Sequence, residues 1–114
     1  MDATEKRKAK ALTGLAESHV LKLGKALAEI ETVFREPGID FVAKENKDGL
    51  LALQRECSAL HSACQKVQRG REAGIVLPSQ SELKQTLSYA KKLEACLRVN
   101  CRAAMRAASV IEMR

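Results

Sequence analysis

The sequence predicts an all-α protein, an antiparallel up-down-up three-helix bundle with coiled-coil-like packing. Three observations predict it. First, Leu50, Leu53, Cys57, Leu60, Cys64 and Val67 recur at alternating three- and four-residue spacing, the pattern of a helix with one buried seam. Second, similar apolar ladders precede and follow this one, and the two prolines, Pro37 and Pro78, fall between the ladders. Third, aromatic residues make up only 3% of the chain, so the core is built from Leu, Ala, Val, Ile and Cys. Small side chains suit close helix packing, whereas a β-sandwich favours β-branched and aromatic residues.

The first helix is expected over about residues 2–36. Asp2 and Glu5 have the spacing of a capping box, in which each side chain satisfies a free amide of the first turn. The core stripe is Leu12, Ala16, Val20, Leu23, Leu27, Ile30 and Phe34, and Pro37-Gly38 ends the helix. Residues 37–47 form a connection whose Ile39, Phe41 and Val42 are expected to fold back over the bundle end. The second helix is expected over about residues 48–73, capped by Asp48 or Asn46. Gly74 would take the left-handed position after it, with Ile75 packing back. The apolar link Ile75-Val76-Leu77-Pro78 leads to a third helix over about residues 79–113. Ser79 and Glu82 form its capping box. Its core face is Leu83, Ala90, Leu93, Leu97, Cys101, Ala104, Ala108 and Ile111. Short connections place successive helices antiparallel. The outline resembles a spectrin repeat in shape, without the buried tryptophan that marks that family.

A length of 114 residues is that of one domain, 1–114. The third helix has no stop signal before Arg114, which reads either as a frayed end or as a cut through a longer helix, the second reading making the chain a segment of a larger protein. No apolar run approaches the roughly 20 residues that span a bilayer, so membrane insertion is not expected. The N-terminus does not read as a signal peptide. The four cysteines, Cys57, Cys64, Cys96 and Cys101, form no C-x-x-C pair and fall short of a disulfide scaffold. A reducing compartment, cytoplasm or nucleus, is the expectation.

Candidate chemistry is sparse. Cys57, His61 and Cys64 share one helical face, and Cys101 or Cys96 on the third helix would complete a zinc tetrahedron. Against this, Cys57 and Cys64 are rungs of the heptad ladder, where cysteine acts as a small hydrophobe with a raised thiol pKa. No metal or cofactor is therefore expected. The string His19-Val20-Leu21-Lys22-Leu23-Gly24 resembles the motif of histidine phosphotransfer domains, which are also helical bundles. The lysine follows the histidine by three residues, as in that family. Here, however, Leu23 separates lysine from glycine and Lys25 replaces a small residue. The resemblance implies a phosphoryl-accepting His19, which would have to be exposed.

Helix 3 carries the clearest surface signal. Lys84, Lys91, Arg98, Arg102 and Arg106 project within a sector about 80° wide that contains no acid. From Glu82 to Arg114 the sequence has seven basic residues against three acidic ones, within a chain of net charge +6. Arginine offers a fork of donors to carboxylates and phosphates. Tyr89, Cys96, Ala103 and Val110, spaced by seven, form a further apolar stripe. It is expected to meet the second neighbouring helix, the other reading being a seam open to another chain. Gly-rich phosphate loops, H-E-x-x-H and G-x-S-x-G are absent.

The sequence therefore predicts a non-enzymatic, intracellular interaction or assembly module. Its partner would be a protein with an acidic surface, docked on the basic face of helix 3. Self-association is compatible with the same pattern. The alternative is a nucleic-acid-associated domain making non-specific phosphate contacts, with Lys6, Arg7, Lys8 and Lys10 adding to the basic surface. A phosphotransfer bundle comes third.

Overall fold

A computed structural model describes residues 3–70 and 76–112. Three long helices run through them, α1 (Ala3–Phe34), α2 (Lys44–Gln68) and α3 (Gln80–Glu112), with no strand among the described residues. The fold is an all-α helical bundle. Side-chain pairs give its register. Gly24 on α1 faces His61 on α2, whereas His19 meets Pro78 at the entry to α3 and Thr32 meets Arg98 further along. Residue numbers therefore rise together on α1 and α3.

The shared core is one continuous apolar cluster. Ala16, Leu23, Ile30 and Val33 come from α1, Leu50, Leu53, Cys57, Cys64 and Val67 from α2, and Leu83, Ala90, Leu97 and Cys101 from α3. The α2 ladder is buried as its spacing requires, with Leu60 half-buried. On α1 the seam starts later than expected. Leu12 is exposed, because the first turns of α1 extend beyond the other two helices, while Val33 and Ala26 are buried. The molecule measures 75 × 22 × 19 Å, although neither α1 nor α3 exceeds about 50 Å at 1.5 Å per residue. The two helices are thus staggered lengthwise.

The helix ends follow local chemistry where side chains supply it. At α3 the Glu82 amide donates to Ser79 Oγ at 3.1 Å, and the Ser79 amide donates to Glu82 Oε2 at 3.3 Å. This is the reciprocal capping box that the sequence predicts. At α2 the expectation fails. The helix starts at Lys44 after Ala43, which makes no side-chain cap, and Asn46 and Asp48 lie within it. It also ends earlier, at Gln68. Gly70, with φ of 68°, takes the left-handed position and its amide donates to the Val67 carbonyl at 3.0 Å. Asp2, Gly74 and Ile75, the expected cap, left-handed and packing residues, lie outside the described residues.

α1 ends at Phe34, and a 3-10 turn over Ile39–Phe41 leads into α2. Val42 is buried and Ile39 packs against the core, but Phe41 is 69% exposed, so only two of the three apolar loop residues fold back. A three-residue turn cannot aim all three side chains inward. Gly38 initiates it with φ of 88°.

Candidate functional site

The five basic residues of α3 do not form one free surface. Arg98 is half-buried and committed to the last turn of α1 and the turn that follows it. Its Nε lies 3.4 Å from Glu36 Oε1, and its Nη2 donates to Thr32 Oγ1 at 3.3 Å. The sector is free of acids on its own helix, but Glu36 comes from a neighbouring element. Lys84 and Lys91 are exposed along the α1–α3 boundary, where both line a groove. Arg102 and Arg106 are exposed and follow Arg98 along α3, past the end of α1.

Beside this row runs an exposed apolar stripe. Tyr89 is 55% exposed, Val99 57% and Val110 53%, and Cys96, Ala103 and Ala107 are exposed with them. The stripe was expected to meet a second helix of the bundle. It faces away instead, because the buried side of α3 is centred on Ala90, Leu97 and Cys101, well over a quarter-turn from Val99 at about 100° per residue. α3 is therefore amphipathic in the core direction and carries a second apolar strip on its outer side, with Lys92, Arg102 and Arg106 along it.

His19 is completely buried. Its Nε2–H donates to the Pro78 carbonyl at 2.6 Å, which holds the entry of α3 against α1. Nδ1 is buried without a hydrogen-bond partner. A phosphotransfer histidine needs a ring nitrogen at the surface, and His19 offers none.

The cysteine and histidine candidates for zinc are likewise structural in placement. Cys57 and Cys64 are fully buried in the α2 seam and Cys101 nearly so, while His61 lies over Gly24. Among the described residues no group of three or more His, Cys, Asp or Glu side chains converges on a point that would hold a metal ion. Burial pushes the thiols of Cys57, Cys64 and Cys101 above their ordinary value. The acids Glu56, beside Cys57, and Glu36, beside Cys101, push in the same direction, and Lys47 opposes the effect at Cys101.

The structure also contains a site residue that sequence reasoning missed. Glu94 is only 4% exposed, and its Oε1 is buried with no hydrogen-bond partner. Burial raises its carboxyl above the ordinary glutamate value, and the facing Glu29 adds to this, against the pull of Arg98 and Lys91. One signal was present in the sequence: Leu87, Glu94 and Cys101 are spaced by seven, which places the acid on a core-facing row.

No family model matches the chain, and no significant match exists among curated proteins or solved structures. Among the described residues, no helix is long and apolar enough to cross a membrane.

Proposed function

We propose that this protein is a non-catalytic helical interaction module that docks a helix of a partner protein on the outward face of α3. One observation carries the reading: an exposed apolar stripe, Tyr89, Cys96, Val99, Ala103 and Val110, runs beside the exposed cations Lys92, Arg102 and Arg106. A helix with apolar residues every three to four positions matches the stripe, and acids on its flank match the cations. The small side chains at Cys96, Ala103 and Ala107 let a second backbone come close. A second copy of the same face would set cations against cations, so the occupant is a different, acidic segment. Arg98 supports the bundle and contributes little to docking.

A display library of helical peptides, screened against the protein, tests this. The expected binders are amphipathic and acidic, and they lose affinity both for Val99→Asp and for Arg102→Glu/Arg106→Glu. Binders insensitive to both substitutions would overturn the reading. Tight, salt-sensitive binding of duplex DNA that depends on the arginines but not on Val99 would favour the nucleic-acid alternative instead.

A further inference from the structure

Between α1 and α3 lies a groove of about 870 Å³. Its walls carry six charged side chains: Lys22, Lys25 and Glu29 from α1, and Lys84, Lys91 and Glu94 from α3. No charged side chain of α2 lines it. Both lysine pairs fall between the two contacts that fix the register of these helices, His19 with Pro78 and Thr32 with Arg98. They therefore face each other across one stretch of groove. Lys84 and Lys91 are two turns apart, roughly 10 Å along the helix, and Lys22 and Lys25 are roughly 4.5 Å apart. No ion pair joins any of the four to an acid among the described residues. Four cations are thus left without contact partners around one concavity, with Ala26 and Ser88 keeping its lining small.

Glu94 is the second, independent observation. An acid buried in this wall with an unsatisfied oxygen is costly unless something completes its hydrogen bonding. We infer that the α1–α3 groove binds a small polyphosphorylated anion, held by Lys22, Lys25, Lys84 and Lys91 and by a hydrogen bond from the Glu94 carboxyl. Lysine ammonium groups act as point charges toward phosphate, and a short polyphosphate chain has the length of the lysine quartet. Glu94 lines the groove, and in its protonated form it donates its O–H to a phosphate oxygen there. An ionised Glu94 would repel the ligand.

Binding and protonation of Glu94 are consequently linked. Burial and Glu29 already favour the protonated form, while Lys91 and Arg98 oppose it, and the ligand tips the balance further toward it. Affinity falls as pH rises through the Glu94 titration. The site is separate from the outward stripe of α3, so it stands or falls independently of partner docking.

Isothermal titration with sodium tripolyphosphate, in two buffers of different protonation enthalpy, tests the inference. The expected result is saturable one-to-one binding with net proton uptake. Lys84→Ala/Lys91→Ala, which alters only exposed side chains, should weaken it roughly tenfold or more. Glu94→Gln should remove the proton uptake and flatten the pH dependence. Parallel titrations with ATP and with inositol hexakisphosphate separate the two natural sources of this chemistry, because the tighter ligand identifies the scaffold that carries the phosphates. Absence of binding at low salt would overturn the inference. So would binding indifferent to Lys84→Ala/Lys91→Ala but lost on Lys6→Ala/Lys8→Ala/Lys10→Ala, since the anion would then merely coat the basic end of α1. Proton uptake persisting in Glu94→Gln would remove Glu94 from the site.

Discussion

A Cβ atom placed on Gly38 would lie 2.6 Å from the carbonyl oxygen of Cys101. The turn after α1 is pressed directly against the backbone of α3, with Met105 Cγ 2.8 Å from the same point. Two costs would therefore fall on any side chain here: the clash, and a φ of 88° that L-residues rarely adopt. Gly38→Ala should destabilise the fold by about 2 kcal/mol or more. Urea unfolding followed by circular dichroism measures this as a lower midpoint at unchanged slope. A loss below about 0.5 kcal/mol would show that the turn can move away from α3 at little cost.

The capping box at α3 gives a smaller, local effect. Ser79→Ala removes the acceptor for the Glu82 amide and should cost about 1 kcal/mol. Ser79→Asp keeps an acceptor there and should restore most of the loss. Equal losses in both variants, measured by thermal unfolding, would show that the hydroxyl does not act as a cap.

Glu94 should give the fold a distinct pH dependence. A carboxyl whose folded pKa lies above its unfolded value holds its proton longer in the folded state. Its contribution is fully present below the unfolded value and is lost as pH rises through the folded value. Stability of the wild-type protein should therefore fall across the window just above the ordinary glutamate pKa. Glu94→Gln should flatten that fall and gain on the order of 1 kcal/mol on its alkaline side. Parallel pH profiles in the two proteins would show that the buried carboxyl is not their source.

The cysteines should divide three to one. Cys57, Cys64 and Cys101 are buried, whereas Cys96 is exposed on the outer stripe of α3. A disulfide reagent such as Ellman's should titrate one thiol quickly in the native protein and the other three only on unfolding. Cys96→Ser should abolish the fast phase. A bound helical partner should slow it, which makes Cys96 a reporter for docking.

What could be read from the sequence was local. The α2 seam and the Ser79–Glu82 box are specified by spacing within one helix, and both appear as the spacing demands. What could not be read depends on other elements. Leu12 continues the α1 ladder but is exposed, with no helix of the described residues opposite it. Asn46 and Asp48 are good capping residues, yet α2 begins before them, its first amides left without a side-chain cap at Ala43. Arg98 belongs to an acid-free sector of its own helix and is bound by Glu36 from the turn after α1. Glu94 has the heptad spacing of a core residue and the chemistry of a surface one, and its position on α3 decided its burial.

The lengthwise stagger of α1 and α3 makes the two tips of the rod unlike. One tip is the early turns of α1 with Lys6, Arg7, Lys8 and Lys10, and the other is the far end of α3 with Arg102, Arg106 and Val110. The molecule thus has a direction, and anything fastened to both tips is held tens of ångströms apart in a fixed order. Both tips are positive, so copies placed tip to tip repel each other, and only an acidic bridge would string them into a line.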